Sequence, residues 1–140
     1  MTDYEMLKAT LGVVGSALIW AFGEWTTAMQ VLIIFMAIDY FTGLAIALVW
    51  KKSPKTESGA LNSQVGFKGL IRKMVALCMV LVANLLDRVT GSNFVRDAVI
   101  IAYIINEAVS IIENAGIMGV PIPHVILDCI DALKNKEDER

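Results

Sequence analysis

The sequence predicts an all-α integral membrane protein, on three observations. Of its 140 residues, 56% are hydrophobic, whereas soluble domains have about 45–50% apolar residues even with glycine counted. The mean hydropathy is +0.63. The longest apolar run, residues 28–50, extends about 34 Å as a helix, and a bilayer core is about 30 Å thick. Because this run offers no polar face to water, it argues against the alternative of a soluble helical bundle.

Composition and motifs exclude several classes of function. A net charge of −2 gives no overall basic field, so nucleic acid is not an expected partner. The two cysteines, Cys78 and Cys129, lie in different contexts, and there is no CxxC or His/Cys cluster to suggest zinc or a disulfide framework. The sequence has no Gly-rich phosphate loop, HExxH or GxSxG motif. We therefore expect no cofactor, no metal and no enzymatic activity.

Apolar runs predict four membrane spans followed by a short amphipathic helix. The spans are residues 7–23, 28–50, 69–90 and 93–115, and the cytoplasmic helix with its charged tail is residues 121–140. The first span is open to a second interpretation, an interfacial helix with the N-terminus outside. Its length and the placement of Trp20, Trp25 and Trp50 near membrane interfaces favour the span. The acidic N-terminus does not resemble a signal peptide.

Charge predicts the orientation of the chain. Residues 51–73 carry six cations against the single anion Glu57, and short loops rich in Lys and Arg stay on the cytoplasmic side. Residues 51–68 are therefore predicted to form a mobile, cytoplasmic basic loop, and the C-terminus is predicted to be cytoplasmic too. The orienting cations are Lys51, Lys52, Lys55, Lys68, Arg72 and Lys73.

Polar residues inside the spans are candidate functional residues, because lipid penalises them. Asp39 lies at the middle of residues 28–50 with no charge nearby. A structural helix contact and a pore or gating role are both open for it. The intramembrane contact residues that we predict are Asp39, Thr42, Gly43, Ala47, Asn84 and Asp87. Gly43 and Ala47 form a small-xxx-small step that allows close backbone approach. Asp87, with Arg88, alternatively marks the outer end of its span.

The last span has a polar sector of about 120°. It contains Arg96, Tyr103, Asn106, Glu107, Ser110, Glu113 and Asn114. This face is predicted to line water, in a lumen, and the alternative is a helix lying flat on the membrane. The acidic residues weigh against the flat helix, since interfacial helices usually carry Lys or Arg. Three helices thus carry polar groups that lipid does not accept, which predicts self-association with the polar faces inward.

Two connecting segments also carry predictions. Ser92 or Asn93 is expected to cap the last span. After Pro121 and Pro123, an apolar stripe recurs at helical spacing, and either the inner leaflet or another subunit is expected to cover it. The stripe comprises Ile122, Ile126, Cys129, Ile130 and Leu133.

Ordered sequence elements resemble the phage-lysis and toxin-secretion holin family, which includes the holin-like proteins of clostridial toxin loci. These elements are "DYFTG" at 39–43, "GFKGLIRK" at 66–73, Asp87, "NEAVSIIENAG" at 106–116 and "GVPIP" at 119–123. No single element is specific, but their order is, and they extend over most of the chain from about residue 35 onward.

The resemblance implies a small phage or prophage protein of the bacterial inner membrane. Such proteins accumulate, associate with themselves and open lesions for a cell-wall hydrolase (endolysin) or a large toxin, which cross as passengers. Lipid, further copies of the chain and an antiholin are the implied partners. The alternatives are a small ion-channel subunit, and an antiholin or membrane scaffold that opens nothing.

Overall fold

The computed structural model describes residues 1–139, which form helices and connecting turns without any strand in that range. Within it, five α-helices follow one another, and a π-helical turn, Ile46–Trp50, continues the second of them. The α-helices are α1 (Asp3–Phe22), α2 (Thr27–Ala45), α3 (Ser63–Thr90), α4 (Val95–Ile117) and α5 (His124–Asp138). The all-α prediction is confirmed.

Three helices within residues 1–139 are long and apolar enough to cross a membrane. They are Asp3–Phe22, α2 with its π-helical turn (Thr27–Trp50), and Ser63–Thr90. These helices identify an integral membrane protein. α4 is not one of the three, so its assignment as a fourth span stays a prediction.

Side-chain caps explain where the helices begin. Thr2 and Glu5 form a reciprocal capping box at α1, and the Thr26 hydroxyl accepts a hydrogen bond from the N–H of Met29 at α2. The Asn62 side chain accepts hydrogen bonds from the N–H groups of Gln64 and Val65. These bonds satisfy donors that the first turn of α3 would otherwise leave free.

The predicted loop 51–68 is therefore shorter than expected, because α3 already begins at Ser63. Hydrogen bonds connect the two sides of this loop, and its mobility stays a prediction. The N–H of Ser53 donates to the carbonyl of Gly59 at 2.9 Å, and the Thr56 hydroxyl donates to the carbonyl of Ala60 at 2.9 Å. These bonds fold residues 51–62 into a compact turn.

The helices alternate in direction, so the bundle has two distinct ends. We call the end with turns 23–26 and 91–94 the hairpin end, and the end with residues 51–62 and 118–123 the loop end. The apolar core lies between α2, α3 and α4 in the half nearer the hairpin end. Its buried residues are Met29, Leu32, Met36, Val80, Ile100 and Ile104. Burial of these side chains joins the three helices through the hydrophobic effect.

The first and last helices are peripheral. Among residues 3–22 no side chain is buried, and α1 packs on α3. α5 packs on α4, and Ile130 is buried in this contact. The expectation that lipid or another subunit covers the C-terminal stripe is wrong for Ile130, because α4 of the same chain covers it. Ile126 and Cys129 remain exposed.

Candidate functional site

Three charged side chains meet at the middle of the bundle, and we call them the central triad: Asp39, Lys73 and Glu107. The Lys73 Nζ lies 2.7 Å from Asp39 Oδ2 and 2.6 Å from Glu107 Oε2. The exposed fraction of the side chain is 14% for Lys73, 9% for Asp39 and 8% for Glu107. One ammonium therefore links α2, α3 and α4 through two charge-assisted hydrogen bonds, which are stronger than neutral ones.

Asn114 and Thr42 extend the central triad toward the loop end. The Asn114 Nδ2 donates to Asp39 Oδ1 at 3.1 Å and to Thr42 Oγ1 at 2.9 Å. The Thr42 hydroxyl in turn donates to the carbonyl of Ile38 at 2.8 Å. These bonds fix the Asp39 carboxylate between α3 and α4, since both of its oxygens have partners.

Lys73 lies within the predicted third span, and its side chain points into the bundle. The sequence assigns it to the orienting cations of the cytoplasmic segment, together with Lys68 and Arg72, whose side chains are exposed. In the structure the Lys73 ammonium lies inside the bundle. The reason is its position on α3, which turns it toward the two carboxylates.

A groove of about 440 Å³ extends from the central triad to the loop turn at residues 53–62. Hydroxyl, amide and charged groups from α2, α3 and α4 line it. They include Tyr40, Arg72, Tyr103, Asn106, Ser110 and Asn114. Gly43 also lines it, and a Cβ at Gly43 would meet no atom within 4 Å. Within this chain no backbone approaches Gly43, because the groove occupies that space, and close approach by another copy stays a prediction. Ala47 is buried.

The seven polar residues predicted to line a lumen separate into three groups. Tyr103, Asn106, Glu107, Ser110 and Asn114 line the groove within one chain. Arg96 is buried at the hairpin end, and Glu113 is exposed outside the groove. Partners in the same chain cover Arg96 and Glu107 in this structure, and the assignment of these residues to a lumen stays a prediction.

A second set of polar groups, the hairpin cluster, consists of Asn84, Asp87, Ser92 and Arg96. Asp87 Oδ1 accepts from the Ser92 hydroxyl at 2.5 Å and from the N–H of Val95 at 3.1 Å, and Oδ2 accepts from the N–H of Arg96 at 2.9 Å. A side chain of α3 thus caps α4. The predicted cap at Ser92 or Asn93 is wrong, because Asp87 already binds the first N–H groups of α4.

Asn84 and Arg96 hold the end of α1 through its backbone carbonyls. The Asn84 Nδ2 donates to the carbonyl of Ala21 at 2.7 Å. The Arg96 Nε donates to the carbonyl of Phe22 at 2.5 Å, and its Nη2 to that of Glu24 at 2.7 Å. These side chains satisfy carbonyls that a helix C-terminus leaves without intrahelical partners.

Gly23 makes this contact sterically feasible. Its φ is +84°, a conformation that L side chains rarely adopt. A Cβ there would lie 2.8 Å from Asn84 Oδ1 and 3.1 Å from Arg96 Nε. The turn between α1 and α2 therefore requires glycine both for its backbone and for the space beside it.

Comparison with known proteins gives the family. The model of the bacteriophage holin family matches residues 16–135 of this chain. The chain belongs to the bacteriophage holin family. Holins permeabilise membranes and are a non-enzymatic family. No solved structure matches the chain.

Similar sequences come from a phage and from several bacteria. A probable holin of Bacillus phage phi105 is 32% identical over 120 residues, covering 85% of this chain and 82% of its own length. An uncharacterized protein of Halalkalibacterium halodurans is 35% identical, covering 96% of this chain and 98% of its own length. A 14.9 kDa protein of Clostridium perfringens from the nagH 3′ region is 34% identical over 88% of this chain and 89% of its own length.

Partners within the same chain bind the charged side chains of the interior, although the carboxylates outnumber the cations. The central triad pairs Asp39 and Glu107 with Lys73, and backbone groups bind Asp87 and Arg96. Groups of the same chain thus bind these charges in the single chain, and self-association stays a prediction. Across residues 1–139 no group of three or more His, Cys, Asp or Glu side chains is arranged to hold a metal ion.

Proposed function

We propose that this chain is a holin that self-associates in the bacterial inner membrane and opens lesions. A cell-wall hydrolase or a large toxin crosses these lesions as a passenger, without specific binding, and an antiholin controls the timing. Membership of the holin family supports the proposal, as does the similarity to a protein named a probable holin.

The structural observation that carries the proposal is the groove. It places the polar face of α4 beside space that extends from the loop end to the middle of the bundle. Beyond it lies the apolar core, which includes Leu32, Val80 and Ile100. Opening a continuous aqueous path thus requires separation of the helices along this core. Association of several subunits would provide the protein surface along which this separation occurs.

The orientation belongs to the same proposal. Residues 51–62 carry Lys51, Lys52 and Lys55, and the exposed Lys68 and Arg72 follow in the first turns of α3. This distribution favours a cytoplasmic loop end, with the C-terminus on the same side. α4 has 23 residues, about 34 Å of helix, and packs along α2 and α3. We therefore assign it as the fourth span.

Release of a folded protein from bacterial cells expressing this chain tests the function. Cells also produce a cytoplasmic fluorescent protein, and both this protein and K⁺ are measured in the medium. A holin releases both at a defined time. Release of K⁺ alone would indicate a small ion channel, and release of neither would indicate an antiholin or scaffold. Cells with an equal amount of an unrelated membrane protein are the control.

A further inference from the structure

The central triad contains one more negative charge than positive charge. Lys73 is the cation within hydrogen-bonding distance of Asp39 and Glu107, and both carboxylates are buried. Removal of this one ammonium would leave two carboxylates in a low-dielectric interior, where charge without a counterion is costly. The stability of the closed arrangement thus depends on a single side chain.

The three members of the triad differ in their access to water. Asp39 and Glu107 lie near the middle of helices that span about the thickness of a bilayer core. α3 has 28 residues, about 42 Å of helix, so its ends extend beyond the hydrocarbon. Lys73 lies in the half of α3 nearer the loop end, and its long side chain borders the groove. A lysine in this position reaches the interface by extending its side chain along the groove, whereas the two short carboxylates cannot.

We propose that Lys73 is a removable counterion and that Asp39 and Glu107 become part of the water-exposed lining when the holin opens. In the closed chain the ammonium neutralises the carboxylates and joins three helices. On opening, it withdraws along the groove toward the loop end, and the carboxylates are hydrated. Each subunit then presents two anionic groups, so an opening of small diameter favours cations. This inference rests on the proposed function.

Charge-neutral variants test the counterion role. Lys73→Met removes the ammonium, and we expect release of the fluorescent protein at a several-fold lower density of holin in the membrane. Lys73→Arg retains the charge and should behave as the original protein. The triple variant Asp39→Asn, Lys73→Met, Glu107→Gln removes all three charges and should reverse the early release. Lys68→Met, an exposed lysine on the same helix, is the matched control. Immunoblots of membrane fractions normalise each measurement.

Two results would overturn the inference. One is release by Lys73→Met at the same membrane density as the original protein. The other is early release by the triple variant as well, which would assign the effect to lost packing at residue 73. In both cases the proposed function stands, because the original chain still releases protein. Failure of the original chain to release protein would instead contradict the proposed function.

Ion selectivity provides a readout that does not need lysis. Purified protein is reconstituted in liposomes with a KCl gradient, and the reversal potential is measured. We expect a preference for K⁺ over Cl⁻ that is lost in the variant Asp39→Asn, Glu107→Gln. An unchanged preference in this variant would exclude these carboxylates from the lining. This variant retains Lys73, so an inverted preference for Cl⁻ would place the ammonium in the lining and contradict its withdrawal.

Discussion

The Arg96 guanidinium, in the first turn of α4, donates from Nε to the carbonyl of Phe22, the last residue of α1, at 2.5 Å. The two residues are 74 positions apart in sequence. Because α1 buries no side chain of residues 3–22, this contact, together with that of Asn84, is a main attachment of α1 to the bundle.

Substitution of Arg96 should therefore loosen α1. We expect Arg96→Leu to lower the free energy of unfolding by about 1–3 kcal/mol, because it leaves the partly buried carbonyls of Phe22 and Glu24 without these donors. Thermal unfolding of the detergent-solubilised protein, followed by circular dichroism, measures the change. Arg88→Leu is the control, since Arg88 is exposed and only stacks on Trp20, 5.0 Å from its ring centroid. Equal losses for the two variants would contradict the attachment by Arg96.

Gly23→Ala should destabilise the same junction. The added Cβ would clash with Asn84 and Arg96, and the backbone has a positive φ, so we expect a loss of about 1–3 kcal/mol. Gly12→Ala is the matched control on α1, because its Cβ would meet nothing within 4 Å. Alanine is favoured over glycine in a helix by about 0.5–1 kcal/mol, so this variant should be slightly more stable. The decisive observation is that the free energy of unfolding falls in Gly23→Ala and rises slightly in Gly12→Ala.

Asp87→Ala should weaken the start of α4. It removes the acceptor for two N–H groups and for the Ser92 hydroxyl, and loss of a helix cap costs about 0.5–2 kcal/mol. Hydrogen exchange at Val95 and Arg96 should accelerate in this variant, while exchange at the centre of α4 changes less. Asp128→Ala, at an exposed position on α5, should leave both rates unchanged. Unchanged exchange at Val95 in the Asp87 variant would argue against the cap.

Residues 51–62 should be cytoplasmic. A cysteine at Ser58, which is exposed in this turn, should be protected from an impermeant thiol reagent in intact cells and should react in inverted membrane vesicles. Cys78 and Cys129 are free and exposed, so both need replacement first. Labelling of Ser58→Cys from the outside of intact cells would reverse the proposed topology.

The groove should become continuous with the outside only after opening. A cysteine at Asn106 or Ser110, both of which line the groove, should react with a small hydrophilic reagent added outside only once triggering has occurred. Cysteines at Ile101 and Ile105 report on the other side of α4 and should stay protected. Similar external reactivity at Asn106 before and after triggering would contradict a lining role for this face.

Sequence patterns predicted the helices well because long apolar runs leave few alternatives in a membrane. The start of α3 was less predictable, since basic residues near Lys68 resemble a loop and the cap by Asn62 is a local detail. The periodicity of α4 placed Glu107 and Asn114 on one face. A single-helix pattern does not reveal which neighbour covers that face, and so it did not pair Glu107 with Lys73. One signal was available. Lys73 lies within a predicted span, and the neighbouring spans carry the carboxylates Asp39 and Glu107 near their middles.

The absence of buried side chains among residues 3–22 has a consequence for how this helix can vary. In the proposed topology lipid surrounds the exposed sides of α1 and requires apolar side chains there without constraining their shape. Exchanges among Leu, Ile, Val and Met along α1 should be nearly neutral, as for surface positions in general. The last turn is different, because its carbonyls meet donors fixed by the rest of the bundle. α1 therefore combines a long segment open to sequence drift with one short segment under strict geometric constraint.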